Sequence, residues 1–264
     1  MCRMPGGVNM RSGPGTNHAV IGRFLHLDEG EILQADFSQS GEPLHWVRLR
    51  YQSREDSWVR IDFLRLRGGF GRFGFAGEDL YPSPAPQSNW SRDFDPTGSY
   101  LNVPHDGWDK SGSIGAPILS GPKGGLVVQT ALCQFCGSQG FSVEQKGIQV
   151  GSSQVFVPGW NFGYGHFVIV RYTNDLLPES TRNQLAQIGR EGEHLFVMHA
   201  HLHNIMVTNG QVLRPNQQIG TMGNSGNSTG AHLHLEVRAS ESATFSNWAA
   251  IRSGLLSPGI LFLR

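Results

Sequence analysis

Short stretches of alternating apolar and polar residues occupy the beginning of the chain and predict β-strands. Alternation with a period of two places one set of side chains on each face of a half-buried strand. The stretches are brief and separated by turns, which is typical of a small β-barrel. They cover residues 8–11, 31–35, 46–50 and 57–60.

A second zone, from about residue 98 to residue 264, contains longer apolar stretches. Residues 167–172, 195–198 and 233–237 have the pattern of buried or half-buried strands. A short helix is predicted over residues 179–189 and another over 245–255. The chain as a whole is therefore predicted to be mainly β, with few helices.

The segment between the two zones is rich in glycine and proline. It begins with G-G-F-G-R-F-G-F at residues 68–75 and continues through Pro82, Pro84 and Pro86. Proline lacks the backbone donor and glycine has a high backbone entropy, so neither favours a continuous element. We therefore predict domains at 1–67 and 98–264, joined by a linker at 68–97.

The composition of the chain excludes some classes of function but does not identify the function. Lysine and arginine number 21, as do aspartate and glutamate, and 35 of the 264 residues are glycine. This balance excludes a strongly basic nucleic-acid binder, because phosphate contacts need a cationic surface. No apolar run reaches the roughly 18 residues of a transmembrane helix. The first seven residues lack the apolar region of a signal peptide.

Histidine and aspartate residues in the second zone suggest a metal site. His105 and Asp109 form an H-x-x-x-D motif, and His232 and His234 form an H-x-H motif. In an extended segment each pair projects from one face. Two imidazoles and one carboxylate, with water as fourth ligand, are the donor set of catalytic zinc. Each motif alone also occurs by chance, and the same donor set suits a non-haem iron oxygenase.

The region around these motifs resembles the LytM/lysostaphin-type metallopeptidases of family M23. N-G-Q at 209–211, Q-x-I-G at 217–220, G-N-S-G at 223–226, S-T-G at 228–230 and H-L-H at 232–234 follow the family's order. H-x-G-x-D begins at His105. A-H-L occupies 200–202, where His199 replaces the family's usual tyrosine. The resemblance spans about residues 98–238.

This resemblance implies a function and a role for each motif residue. His105, Asp109 and His234 would bind Zn²⁺, and His201 and His232 would be the catalytic pair. The family has an antiparallel-β domain with a groove and cuts peptide bonds in peptidoglycan stems or cross-bridges. Peptidoglycan peptides are thus the expected partner, and the expected location is extracellular or periplasmic, at the cell wall.

Three further features accompany these motifs. His199 is expected to share a strand face with His201. Cys133 and Cys136 form a C-x-x-C motif that suits a redox pair, half of a zinc knuckle or a local disulfide, with the disulfide favoured. Residues 8–67 resemble a bacterial SH3 domain, through N-M-R-S-G-P-G-T at 9–16 and W-V-R-L at 46–49. That family implies a small barrel, often one that targets the cell wall.

Two alternative hypotheses retain the zinc site but predict a protein that does not hydrolyse peptide bonds. The protein could bind cell-wall peptides without cutting them, with zinc in a structural role. It could also be latent, with the 68–97 segment donating a blocking ligand such as Asn89. A complete set of five site residues favours an enzyme.

Overall fold

A computed structural model describes residues 2, 6–36, 46–60, 63–64, 79–98 and 103–263. These residues form two antiparallel β-sheets with one α-helix and several short 3₁₀ helices, which confirms the prediction of a mainly β protein. No helix in these ranges is long and apolar enough to cross a membrane.

The first sheet is small and lies near the N-terminus. Its strand order is β2-β1-β5-β4-β3, and its core contains Phe24, Val47, Leu49 and Val59. All four predicted stretches are strands here. The likeness to an SH3 domain stays a prediction. The strands are β1 (Val8–Arg11), β2 (Val20–Phe24), β3 (Glu31–Asp36), β4 (Trp46–Tyr51) and β5 (Arg54–Arg60).

The second sheet carries the rest of the described chain. Its strands are β6 (Asn89–Arg92), β7 (Trp108–Ser111), β8 (Pro117–Leu119), β9 (Gly125–Ala131), β10 (His166–Tyr172), β11 (His194–Ile205), β12 (Val212–Leu213), β13 (Gln218–Met222), β14 (His232–Ser240) and β15 (Leu255–Leu256). The main path runs β12-β9-β10-β11-β14-β7-β6. Branches join β13 to β11 and β8, and β15 to β14.

Helical structure is sparse and peripheral to this sheet. The predicted helix is present as α1 (Glu179–Gln187). The Asp79 carboxylate, 101 residues earlier in the chain, accepts the Ser180 backbone N–H and so caps the first turn. Within the predicted helix at 245–255, only a 3₁₀ helix forms, over Ala249–Gly254.

Part of the predicted linker packs against the second sheet. Strand β6 pairs with β7, and the side chains of Tyr81 and Phe94 are buried in the main core. The glycine-rich part at 68–75 lies outside the described residues. The domain limits stay a prediction, but residues 79–97 have the contacts of a folded segment.

A disulfide closes the C-x-x-C motif. Cys133 and Cys136 are joined by an S–S bond and lie in a small core of their own, with Val143, Val155 and Trp160. Of the alternatives open for this motif, the structure therefore has the local disulfide. It anchors a segment of loops and 3₁₀ turns between β9 and β10.

Strand β14 separates apolar and polar residues by face. Leu233, Leu235 and Val237 are buried in the main core. The alternate residues, which include His232 and His234, project from the other face. The neighbours β11 and β7 fix the register, because Ala200 and Asp109 both lie opposite His234.

His199 lies on the opposite face from His201, contrary to the sequence expectation. His199 pairs with Leu235, whose side chain is in the core, whereas Ala200 pairs with His234. His201 has a left-handed backbone conformation, with φ 58°. This residue interrupts the alternation, so that His201 and Ala200 both face the site. The expectation assumed an unbroken period of two.

The His199 ring is fully buried and poorly satisfied. Neither ring nitrogen has a hydrogen-bond partner of normal geometry among the described residues, and the backbone of Val168 and Val197 gives only weak polar contact. Burial lowers the pKa of His199 to about 4, because the apolar core disfavours the charged ring.

We expect this histidine to make the fold acid-sensitive. The unfolded chain binds a proton near pH 6.5, whereas the folded ring does so only near pH 4. Stability should therefore fall as pH drops through this window, by about 3 kcal/mol in all. Urea unfolding of wild type and His199→Leu at pH 7 and pH 4.5 measures this loss. The variant should lose less stability on acidification.

A matched control uses His26, which is exposed in the turn after β2. His26→Leu should keep the pH dependence of the wild type, because this variant leaves His199 buried in the core. If His199→Leu loses as much stability on acidification as the wild type, burial of His199 does not cause the acid sensitivity.

Candidate active site

Three predicted metal ligands meet where β7 and β14 lie side by side. His105 Nε2 is 3.0 Å from Asp109 Oδ1 and 3.2 Å from His234 Nδ1. The distance from His234 Nδ1 to Asp109 Oδ1 is 2.9 Å, so the three atoms form a triangle. Tetrahedral zinc with ligand bonds of about 2.0–2.1 Å separates its donors by roughly 3.3 Å. The three side chains therefore form a group that could hold a metal ion.

Each histidine of this group is oriented through its other ring nitrogen. His105 Nδ1 lies 2.5 Å from the Asp93 carbonyl oxygen, and His234 Nε2 lies 3.1 Å from Glu236 Oε1. Both partners accept hydrogen bonds, so these nitrogens carry the protons. The nitrogens that face Asp109 are then the ones that would bind a metal, in exchange for any proton they carry.

Glu236 is the centre of a buried hydrogen-bond network beneath His234. It is 1% exposed. Its Oε1 also accepts from the Tyr164 hydroxyl at 2.7 Å, and its Oε2 accepts from Arg238 Nη2 at 2.9 Å and Trp248 Nε1 at 3.2 Å. The Arg238 guanidinium stacks 4.1 Å from the Trp248 ring centroid. Four donors thus hold one carboxylate against the ring of His234.

The electrostatics of the group favour ionised carboxylates. Burial alone would raise the pKa of Asp109, but hydrogen bonds from His105 and His234 hold it well below its usual value. Burial would lower the pKa of His234, yet Asp109 and Glu236, on its two nitrogens, raise it to about 10. A cation at Nδ1 would therefore compete with a proton, and metal binding should weaken in acid.

Two further histidines lie beside the ligand group. The ring centroids of His201 and His232 are 4.6 Å apart, and His201 is 5.7 Å from His234. His201 Nδ1 lies 2.7 Å from the Ser225 carbonyl and His232 Nδ1 lies 2.9 Å from that of Gly230. Each Nδ1 therefore holds the proton and leaves Nε2 as an acceptor. Burial lowers the pKa of both rings, which favours their neutral form.

Gly107 gives the ligands room to approach one another. A Cβ atom at this position would lie 2.4 Å from the Leu235 carbonyl oxygen and 2.9 Å from His234 Cε1. Both distances are too short for real contacts. A glycine between His105 and Asp109 is therefore required by the close approach of β14.

The fold thus brings the five predicted site residues together. The H-x-x-x-D and H-x-H motifs that contribute four of them lie more than a hundred residues apart in the sequence. Sequence reasoning missed Asp93, Tyr164, Glu236 and Trp248. Glu236 had a usable signal, because the H-L-H-L-E-V-R alternation places it on the face of His234. Asp93 acts through its main chain, which leaves no mark in the sequence.

Asn89 is not part of the ligand group. It is the exposed first residue of β6 and lies opposite Ser111, which in turn lies opposite His232. Two strand spacings separate Asn89 from His232, or roughly 10 Å. The backbone register therefore places Asn89 on the face of His232, in the edge strand β6 of the described sheet.

Comparison with protein families identifies a match in the second half of the chain. Residues 145–245 match peptidase family M23. The M23 match includes His201, His232 and His234 and indicates a hydrolase of the peptidase type. The matched region begins after His105 and Asp109. These two residues lie beside His234 in the folded structure. Comparison with curated proteins finds no match.

Solved structures similar to this chain include several M23 proteins. A catalytic-domain mutant of the prophage-encoded M23 protein EnpA from Enterococcus faecalis is 19% identical, covering 60% of this chain and 86% of that one, with a TM-score of 0.39. Lysostaphin from Staphylococcus simulans, described as an antimicrobial peptidase, is 19% identical over 67% of this chain and 54% of its own, with a TM-score of 0.38.

A zinc-containing peptidase from Vibrio cholerae is 16% identical over 81% of this chain and 51% of its own, with a TM-score of 0.39. The chain thus spans about half the length of lysostaphin and of the Vibrio peptidase.

Proposed function

We propose that this protein is a zinc-dependent endopeptidase that hydrolyses peptide bonds in peptidoglycan stems or cross-bridges. The observation that carries the proposal is the joint placement of two groups. A triangle of two imidazole nitrogens and one carboxylate oxygen lies beside a pair of neutral histidines. The M23 match over residues 145–245 supports a peptidase, because it includes three of these five residues.

The donor set fits zinc better than a harder cation. Imidazole nitrogen with one carboxylate suits Zn²⁺, whereas Mg²⁺ and Ca²⁺ prefer oxygen donors alone. His105, Asp109 and His234 would hold the metal. Zinc in such a site lowers the pKa of a bound water to near neutrality and polarises a carbonyl.

His201 and His232 would carry the protons of the reaction. Each has an unprotonated Nε2, since its Nδ1–H is held by a backbone carbonyl. One ring can accept a proton from the attacking water, and the protonated ring can then donate to the leaving amine. A protonated imidazole also stabilises negative charge on the carbonyl oxygen in the transition state. The left-handed backbone conformation of His201 turns its ring toward this site, at the cost of some local backbone strain.

Two observations support the proposal that the protein acts on the cell wall and is located there. The resemblance and the M23 match point to a family of cell-wall peptidases. The Cys133–Cys136 disulfide is independent of both. Disulfides persist in oxidising compartments and are rare in the cytosol. An extracellular or periplasmic location therefore agrees with the chemistry of the chain.

We expect the protein to release peptides from purified peptidoglycan, and a chelator to abolish this release. Sacculi of two cross-link types, one with glycyl bridges and one with direct cross-links, serve as substrates. Mass spectrometry of the released fragments identifies the bond that is cut. Adding Zn²⁺ after chelation should restore the activity, because the ligand group is built by the fold.

The outcomes of this digestion separate the proposal from its alternatives. Chelator-resistant release would contradict the metal mechanism. No release from either substrate, with zinc bound to the protein, would point to a latent enzyme or a wall-binding protein. Removal of the side chain at Asn89 would then test latency, since an Asn89→Ala variant should gain activity only if that residue blocks the site.

A further inference from the structure

We propose that the N-terminal sheet positions the metal ligand His105 through an ion pair between Arg60 and Asp93. This inference rests on the proposed metal site and gives the N-terminal sheet a role in it. Arg60 and Asp93 would act as positioning residues, since they would work through His105 and would not touch the substrate.

Asp93 joins His105 to Arg60 in the first sheet. Its main-chain oxygen lies 2.5 Å from His105 Nδ1. Its Oδ1 accepts the Phe94 N–H at 2.9 Å, and its Oδ2 accepts from Arg60 Nη2 at 3.0 Å. The carbonyl that orients the ligand ring therefore belongs to a residue whose side chain is held at both oxygens.

The neighbouring residues fix the backbone of the ligand as well. Asp95 and His105 exchange two backbone hydrogen bonds, each of 2.8 Å. Phe94, between the two aspartates, is buried in the main core. Segment 93–95 thus holds both the ring and the backbone of His105, and a shift of this segment would move the ligand nitrogen.

Arg60 supplies the contact from the other sheet. It is the last residue of β5, its guanidinium lies 4.6 Å from the Phe63 ring centroid, and it pairs with Asp93 across the two sheets. The two side chains are only 20% and 22% exposed. Such a pair is screened less by salt than an exposed one, and loss of one partner removes a favourable interaction from a partly buried charge.

The test replaces Arg60 in the full chain and measures metal affinity. Zn²⁺ affinity is determined by competition with a chromogenic chelator. The absorption spectrum of the Co²⁺-loaded protein reports the geometry of the ligands. We expect Arg60→Gln to weaken Zn²⁺ binding about tenfold and to change the cobalt spectrum. Tenfold is the lower end of the loss in metal affinity caused by replacing residues that orient a metal ligand.

Two more variants isolate the ion pair. Asp93→Asn keeps the main-chain carbonyl and should give the same loss, and the double variant should lose no more than either single one. Arg54→Gln is the matched control, because Arg54 lies on the same strand and pairs with Asp56 in an exposed site, with side chains 46% and 60% exposed. It should bind Zn²⁺ as the wild type does.

The possible results distinguish this inference from the proposed function. Wild-type affinity and an unchanged cobalt spectrum in Arg60→Gln would overturn the positioning role and leave the metal site intact. An equal loss in Arg54→Gln would overturn it too, since the effect would then be general to the sheet. If the wild type itself binds no Zn²⁺, the proposed function fails first.

Discussion

Replacing His234 with alanine is expected to abolish metal binding, whereas replacing His201 or His232 should leave the metal bound and stop hydrolysis. His234 supplies one corner of the ligand triangle and contacts both other corners. The other two histidines lie beside it, with Nε2 available for proton transfer. Loss of a positioned acid or base costs about 100- to 10,000-fold in rate.

Metal content after gel filtration and peptide release from sacculi measure these two effects separately. His203→Ala is the matched control, because His203 lies on the same strand as His201 and outside the ligand group. It should keep both metal and activity. Tight metal retention in His234→Ala would contradict the ligand assignment, and full activity in His201→Ala would contradict the catalytic one.

Replacing Glu236 with glutamine is expected to weaken both the fold and the metal site. The charge of Glu236 balances the buried Arg238, and removal of one partner from a buried pair costs about 3–5 kcal/mol. The same carboxylate fixes the ring of His234, and loss of such a partner lowers metal affinity about 10- to 100-fold. Urea unfolding and chelator competition measure the two losses.

Arg238→Leu separates these contributions. This variant removes the positive partner but leaves Glu236 in contact with His234, Tyr164 and Trp248. We therefore expect a comparable loss of stability and a smaller loss of metal affinity than in Glu236→Gln. Equal losses of affinity in the two variants would show that the network supports the fold and has no specific effect on His234.

The strands were predictable because half-buried strands and turn residues leave a local pattern. The alternation at 8–11 and 46–50 and the apolar run at 167–172 each correspond to a strand, and the helix at 179–187 lies within its predicted range. The three candidate metal ligands could be named because the M23 resemblance joins motifs that are distant in the sequence.

The missed features depend on contacts or on backbone conformation that no local pattern records. His199 was placed on the wrong face because the left-handed conformation of His201 shifts the strand by one residue. Strand β6 was hidden in a segment rich in proline, where pairing with β7 outweighs weak strand propensity. Asp93 contributes a carbonyl oxygen, which every residue has.

The division of β14 into two faces also determines how its length can change. A single residue removed between His232 and Arg238 would shift the remaining strand by one position and exchange its faces. Imidazole and carboxylate groups would enter the main core, and leucines would enter the ligand group. We therefore expect one-residue deletions in β14 to be more damaging than any single substitution there, so length variation among related sequences should fall in the turns that precede and follow this strand.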